Sequence, residues 1–548
     1  MTTGGEGVPN SRLNTAAGGG GAPSAPNQPW APRANPWLIG VVVAIAAFME
    51  FLDTSIANVA LPYMAGSLAA TNDESTWVLT SYLVSNAIVL PMSGWFAGVF
   101  GRKRFFMLCL TLFTLSSVLC GLAPGLGTII LFRVLQGAGG GGLQPMAQAI
   151  LADTFPPQKR GLAFALYGIT AVFAPTIGPT LGGWITDNYS WRWIFFINVP
   201  IGAVALLLVL RLIEDPPWVR RAAGARVRMD YIGAGLLALG VGALQVMLDK
   251  GQEEDWFGSP FIITLAILAA VGLVSLVVWE WFHKYPIIDV HLFKNLNFLG
   301  ANLMMFVLGI LLFASLVMMP QYLQTLMGYT AESAGLVLSG GGLLVLVLMP
   351  IVGVLASKVQ ARYLIGFGWL TLSLGMYYIT QHLDLLISFR SASWMRVVQS
   401  FGIGFLFVPI TLVAYIGIPA EKNNSVAGLI NFMRNIGSSV GTSMATTLIM
   451  RRAQFHQTYL VAHTTPGRPT FAHAVQALAA RLTEAGLDAT HATSQAFARI
   501  YGAVVREATT LAYIDTFWIL CIGAAVMFVL SFALRRNEPG GGGAAAAG

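Results

Sequence analysis

Fourteen long apolar stretches run along this chain, and the stretch from about Trp394 to Gly441 repeats the one from Leu131 to Gly178. The repeat needs no gap. Arg133 falls on Arg396, Val134 on Val397, Gln136 on Gln399, Gly139 on Gly402, Gly141 on Gly404, Pro156 on Pro419, Lys159 on Lys422 and Gly178 on Gly441, a constant step of 263 residues, as from 133 to 396. Two halves share one plan. A parallel repeat with polar residues at matching depths is what alternating access around a midplane site requires.

The chain is 56% hydrophobic and 10% charged, with a mean hydropathy of +0.69, against roughly 25% charged residues in an ordinary soluble domain. Its apolar runs predict helices at 37–61, 76–99, 105–123, 128–151, 161–186, 193–210, 231–248, 261–281, 298–323, 333–356, 363–380, 393–416, 425–450 and 511–534. Most are long enough to cross a hydrocarbon core of about 30 Å. The expected class is therefore an all-α polytopic membrane protein with fourteen transmembrane helices.

The net charge of +7 reflects membrane topology and does not point to nucleic acid. With both termini cytoplasmic, Arg102, Lys103, Arg104, Lys159, Arg160, Arg220, Arg221, Arg226, Arg228, Lys358 and Lys422 all fall in inner loops. Short outer loops carry only Arg192, Lys250 and Arg390, the asymmetry expected of inner and outer faces. No secretory signal precedes the first helix, which is expected to direct its own insertion. The first helix shifted by 263 lands on the ninth, so helices one to six match nine to fourteen and helices seven and eight are an insertion. The expected organisation is a disordered cytoplasmic tail at 1–35, a six-helix half at 36–215 and two inserted helices at 216–290. A second half at 291–538, with a long outer loop at 451–509, and a Gly/Ala tail at 539–548 complete it. Cys109, Cys120 and Cys521 lie in helices and read as small packing residues.

Charges inside the membrane are costly and persist mainly where they face a cavity or a partner. Glu50 and Asp53, three residues apart, share a face of the first helix, and their repeat partners are Phe313 and Leu316, so they are not part of the shared scaffold. Carboxyl groups taken out of water can exchange protons in the physiological range, which assigns proton coupling to Asp53, with a static pair to a nearby Arg or Lys as the alternative. Glu50 either handles protons too or attracts a cationic substrate. Arg133 and Arg396 each have a Gln three residues on, Gln136 and Gln399. A guanidinium keeps its proton, so these hold a carboxylate or water network, or anchor each half. Arg133 is assigned to the coupling group, and Gln136 and Arg396 to the substrate cavity. Arg434, whose repeat partner is Ala171, joins the cavity with Asn431 and Asn435.

The fourth helix carries Gly137 and Gly139 to Gly142, and the fifth reads Gly168, Pro175, Gly178, Pro179, Gly182 and Gly183. Each Gly costs close to 1 kcal/mol against Ala in a helix and each Pro about 3, so close helix approach or bending must offset them. The matching helix of the second half keeps Gly441 and has no proline there, which points to the fifth helix as a moving element, with a purely structural kink as the alternative.

The fifth-helix pattern resembles the antiporter motif of the major facilitator superfamily, and Arg133 to Gly137 resembles its Arg-x-x-Gln-Gly motif. Leu52 to Pro62 and Trp191 to Pro200 are similar to signatures of the fourteen-helix drug:proton antiporter branch. Over residues 37 to 534 the chain resembles EmrB/QacA-type multidrug efflux transporters, in particular the EmrB kind. The resemblance implies a major facilitator fold and proton-driven export of hydrophobic or amphipathic molecules from a bacterial inner membrane. It also implies work with a periplasmic membrane-fusion adaptor and an outer-membrane channel. One departure concerns the gate loop of Gly94, Gly101, Arg102 and Lys103, where Gly98 and Val99 replace the usual acid and base. Gating must then rest on packing, or on Arg102 with another acceptor such as Asp153.

In the outer loop, Val475, Leu478 and Leu482, then Phe497, Tyr501 and Val504, fall at helical spacing and predict two amphipathic helices, a surface cover or a docking site for the adaptor. Its four histidines, His456, His463, His473 and His491, lack metal-ligand spacing. No cofactor is implied. Export of a defined metabolite, such as a fatty acid, siderophore or lipid, is the alternative within transport. An integral membrane enzyme is the distant one, disfavoured because no Ser/His/Asp, Cys/His or metal-ligand set is found.

Overall fold

The computed structural model describes residues 32–219, 229–465 and 468–536. The expected tails, apart from 32–35, and the loop bases Arg220, Arg221, Arg226 and Arg228 lie outside the described residues. Within them each of the fourteen apolar stretches lies in a helix. The first half comprises α1 (Pro36–Ser67), α2 (Trp77–Phe100), α3 (Arg102–Leu122), α4 (Leu126–Thr154), α5 (Arg160–Asn188) and α6 (Trp193–Leu212). The inserted pair is α7 (Tyr231–Lys250) and α8 (Pro260–Phe282). The second half comprises α9 (Leu296–Thr325), α10 (Ala331–Leu355), α11 (Ala361–His382), α12 (Phe389–Ala414), α13 (Asn423–Val461) and α14 (Ala489–Ser531).

Helices are the natural solution here, because in hydrocarbon every backbone donor and acceptor must be paired within the segment. Twelve helices among the described residues are long and apolar enough to cross a membrane by length and composition. The two of the fourteen outside that set are α11 and α13. In α13 the reason is plain: its run of Asn, Ser and Thr faces polar partners and not lipid.

Packing repeats with the sequence. α1 lies on α5 as α9 lies on α13, α2 on α4 as α10 on α12, and α3 on α6 as α11 on α14. The halves meet along two seams, α2 with α13 and α5 with α10. The inserted α7 and α8 pack on each other, and α7 leans on α2 and α13 beside one seam.

The fourth-helix glycines are explained by contact. A Cβ at Gly137 would come within 2.4 Å of the Tyr82 carbonyl, at Gly139 within 2.7 Å of the Phe113 amide, and at Gly142 within 2.3 Å of Cys109 Sγ. Glycine lets α4 press its backbone onto α2 and α3 at once, and Cys109 fills the space that Gly142 leaves.

The outer loop differs from expectation in form. α13 and α14 run on past the apolar spans, and Pro469–Glu484 forms a separate helix between them. A small second core joins Val475, Leu478 and Leu482 to Ala492, Ala496 and Ile500. The predicted stripe of Phe497, Tyr501 and Val504 is not the packed one. Alanines at 492 and 496 allow the closer approach, while Phe497 and Tyr501 stay exposed on a groove of about 380 Å³. Asp488 caps α14 through the His491 amide, and that bond holds its carboxyl below the usual range.

Candidate functional site

A cavity of about 650 Å³ lies between the halves. Its floor is near the middle of α1, where Glu50 meets Gln144 of α4 and Arg434 of α13. Its walls run through Thr54, Pro175, Pro179, Asn435 and Ser439 to Asn58, Gln321 and Met450 at the end opposite the basic loops. At the basic end the halves touch. A Cβ at Gly161 of α5 would come within 2.3 Å of the Gly353 carbonyl on α10, and one at Gly94 of α2 within 3.0 Å of Ser425 Cα on α13. Phe164 stacks on Tyr415 with ring centroids 5.4 Å apart.

The gate loop uses the acceptor that Gly98 does not supply. Arg102 Nη1 meets Asp153 Oδ2 at 2.5 Å and the Ala149 carbonyl at 3.3 Å, both side chains being buried. Asn423 of the other half donates to the second oxygen of Asp153 at 2.5 Å. Asp153 thus ties the loop to the opposite half. Gly101 turns the chain with φ +83°, a conformation that favours glycine. The Lys103 amide then bonds Asp215 at 2.8 Å at the base of α6.

Glu50 and Asp53, expected to share one face, have separate surroundings. Asp53 is sealed inside the first half. Arg133 Nη1 reaches its Oδ2 at 2.7 Å, and Gln136 Nε2 and Asn198 Nδ2 donate to its Oδ1 at 2.9 and 2.6 Å. Arg133 also donates to Gln136 Oε1 at 2.9 Å and, from Nε, to the Val78 carbonyl at 3.1 Å, with the Tyr82 ring 4.2 Å from Cζ. Glu50 instead faces the cavity. Tyr82 and Asn86 donate to its Oε1 at 3.0 and 3.2 Å, and Gln144 Nε2 donates to its Oε2. Gln144 Oε1 in turn accepts from Arg434, whose Cζ lies 4.8 Å from the Phe51 ring centroid. One glutamine therefore links the acid of the first half to the base of the second.

Gln136 and Arg396, expected in the cavity, do not line it. Gln136 is consumed by Asp53 and Arg133. Arg396 is buried within the second half, because its stretch of α12 packs on α10 and its guanidinium reaches Ser315 of α9. Asn431 lies below the floor, donating to Gln148 Oε1 at 2.6 Å and accepting from Tyr167 at 2.9 Å. Asn435 lines the wall and bonds Asn86 across the seam at 2.9 Å.

The antiporter-motif helix meets α1 by the same close approach. A Cβ at Gly178 would lie 2.3 Å from Ser55 Oγ, and one at Gly182 3.1 Å from Ile56. Pro179 has no N–H to offer the Pro175 carbonyl, and Ser55 Oγ supplies the missing donor at 3.0 Å. Gly168 points the other way, toward Met349 and Phe407 of the second half, and Gly183 is nearly uncrowded.

Sequence reasoning gave the inserted helices no part in the site, yet Gln245, Asp249 and Gln252 of the α7 segment line the cavity. Gln245 bonds Ser439 of α13 at 2.8 Å, and Asp249 accepts from Thr80. Their spacing of four and then three residues on an otherwise apolar helix was the available signal. Asn198 had a signal too, as a lone polar residue in the stretch opening α6.

Two pseudo-symmetric six-helix halves around a shared polar cavity define a membrane transporter. A sequence model of the Major Facilitator Superfamily matches residues 43–442. The chain belongs to that superfamily; it is a multi-pass transporter and not an enzyme. It is 36% identical over 513 residues to the multidrug export protein EmrB of Escherichia coli K12, covering 93% of this chain and 97% of that one. It is 39% identical over 435 residues to the probable multidrug resistance protein EmrY of the same organism, covering 79% and 84%. To the fatty acid resistance protein FarB of Neisseria gonorrhoeae it is 39% identical over 446 residues, covering 81% and 86%. Among solved structures, the proton:xylose symporter XylE superposes with a TM-score of 0.59 at 14% identity, over 91% of this chain and 96% of that one, a likeness of fold.

Proposed function

We propose that the protein is a proton-coupled antiporter that exports hydrophobic or amphipathic molecules across a bacterial inner membrane, with both termini and the basic loops in the cytoplasm. The observation that carries this reading is the pairing of a sealed Asp53–Arg133 centre with a two-half cavity whose floor holds Glu50. The structure is then the outward-facing member of the exchange, closed at the cytoplasmic end by Asp153 and Asn423 and by the Gly161–Gly353 contact. Asp53 is the proton carrier. Its protonation would remove the charge that Arg133, Gln136 and Asn198 converge on, loosening α1 from α4 and α6. Glu50, Arg434 and Asn435 belong to the substrate cavity, and Pro175 to Gly183 to the helix that rocks.

The test is efflux of a fluorescent cationic amphiphile from proteoliposomes under an imposed proton gradient. Transport that follows the gradient and stops with an uncoupler is expected; transport indifferent to both sinks the coupling. Relatives named for drug resistance and for fatty acid resistance leave the substrate as either a drug-like amphiphile or a defined lipid-like metabolite. Competition of that dye by decanoate separates the two.

The outer hairpin is proposed as the docking surface of a periplasmic adaptor that feeds an outer-membrane channel. It has its own small core and an exposed groove flanked by Phe471, Phe497 and Tyr501, the kind of apolar helical face that receives another helix. Gln457 already bonds Tyr501 at 2.7 Å across the base of the hairpin, so removal of residues 466–500 can close there. That deletion should leave dye transport in liposomes intact and abolish resistance in cells with an adaptor and channel. Full resistance after deletion would make the hairpin a surface cover.

A further inference from the structure

Arg396 occupies the place in the second half that Arg133 holds in the first, but it lacks every charged or aromatic partner that Arg133 has. Its Nη1 donates to Gln399 Oε1 at 2.6 Å and Ser315 Oγ at 3.2 Å, and its Nε has no partner, although the residue is only 2% exposed. The repeat shows what was lost. Asp53 falls on Leu316, which offers no charge. Among the described residues Arg396 makes no ion pair and lies under no ring.

A guanidinium cannot shed its proton to escape this setting, and an uncompensated buried charge is strongly destabilising. A charge kept in the membrane interior with no opposite charge beside it points to a functional site. Ser400, one turn along α12 and buried, packs with the aliphatic part of Arg396 against α10: a Cβ at Gly341 would come within 2.3 Å of Ser400 Oγ and 2.9 Å of Arg396 Cγ. Glycine at 341 lets α10 lie close to both side chains.

We propose that the centre of the second half binds a small monovalent anion of the halide class, held by the Nε–H of Arg396 with the Ser400 hydroxyl beside it. A compact anion is chosen over the carboxylate of a long substrate because Arg396 does not line the cavity. The ion completes the second half electrostatically, as Asp53 completes the first, and neither its binding nor its test depends on what is transported.

The experiment uses the purified full-length protein in detergent at fixed pH and ionic strength, with gluconate replaced stepwise by chloride or bromide and unfolding followed by tryptophan fluorescence. Chloride and bromide should raise the melting temperature saturably, by roughly 2–4 °C when the site is filled. Arg396→Gln should abolish the rise. Ser315→Asp keeps the arginine and places a carboxylate on it, so it should abolish the rise as well, and it decides the matter where Arg396→Gln does not fold. A wild type that melts alike in all three salts overturns the proposal, as does a rise that survives in both variants. A Ser315→Asp-sensitive rise produced by decanoate in gluconate but not by chloride would also overturn it, giving the seat to a substrate carboxylate.

Discussion

Arg133 and Arg396 are one residue written twice, each with its glutamine three places on, and the two halves use it in opposite ways. In the first half the guanidinium is locked by a carboxylate, an amide, a backbone carbonyl and a ring, all within one bundle. In the second, among the described residues, it keeps only the glutamine and a serine hydroxyl. A duplicated scaffold thus carries one arginine paired with a carboxylate and one without. On the proposed mechanism, protons act on the first half, and the second half is the frame against which it moves.

The largest expected effect tests that asymmetry directly. Asp53→Asn should reduce proton-driven transport to the level of empty liposomes while substrate still binds. It should also destabilise the protein by about 3–5 kcal/mol, because it strands Arg133. Adding Arg133→Gln should restore the melting temperature and leave transport dead, separating coupling from stability. In the second half, Arg396→Gln strands no carboxylate, so it should melt no lower than the wild type in gluconate and keep coupled transport. Wild-type transport by Asp53→Asn, or equal loss of coupling in Arg396→Gln, would erase the distinction between the halves.

Glu50 sharpens the comparison at smaller scale, since its counterpart is Phe313 and both line the cavity. Glu50→Gln should weaken a cationic amphiphile about tenfold, roughly 1.4 kcal/mol, and leave a neutral one of like size unchanged. Phe313→Leu should weaken both alike. Binding isotherms for the two ligands decide it, and equal losses with Glu50→Gln would refute an electrostatic role for the acid.

Much of this architecture could be read from the chain because a membrane imposes length and charge rules that a soluble core does not. Apolar runs located the helices, and the 263-residue step gave the pairing that the packing repeats. The acids, arginines and glycines of α1, α4 and α5 stood out because such residues are costly in lipid. What could not be read was direction. Three residues on a helix are about 60° apart, enough to send Glu50 into the cavity and Asp53 into the bundle. Likewise Arg396 and Gln136 look like cavity residues until the packing of α12 on α10 and of α4 on α2 turns them inward. The α7 residues escaped notice because an insertion without a repeat partner has nothing to be compared with. The outer hairpin packs on alanines, which carry little periodic signal.

The smallest effect concerns Gly178 and Gly441, the matched glycines of α5 and α13. Both allow close approach, but to different things: a Cβ at Gly441 would lie 2.4 Å from the Ile310 carbonyl oxygen, whereas one at Gly178 meets the Ser55 side chain. Ser55 Cβ itself would lie 2.5 Å from the added atom, so turning the hydroxyl does not relieve the clash at Gly178 either. Both Gly441→Ala and Gly178→Ala should therefore lower the melting temperature, the second also by disturbing the Ser55 bond to the Pro175 carbonyl. The proline adds a second difference. Ser55 donates to the Pro175 carbonyl that Pro179 leaves without a helix partner, so α1 supplies the bond that α5 cannot make for itself. Pro179→Leu restores an N–H for that carbonyl, and the helical bond it permits would compete with Ser55 and loosen α5 from α1. A hydrogen bond is worth about 1 kcal/mol net, so exchange between inward- and outward-open states should slow by up to roughly tenfold, with substrate affinity little changed. Gly178→Leu should act in the same direction through bulk. Spin-label distances between α2 and α13 on the two halves report populations and rates. Unchanged values in both variants would mean that α5 moves no more than α13, and that the prolines of the first half shape the cavity wall without driving its motion.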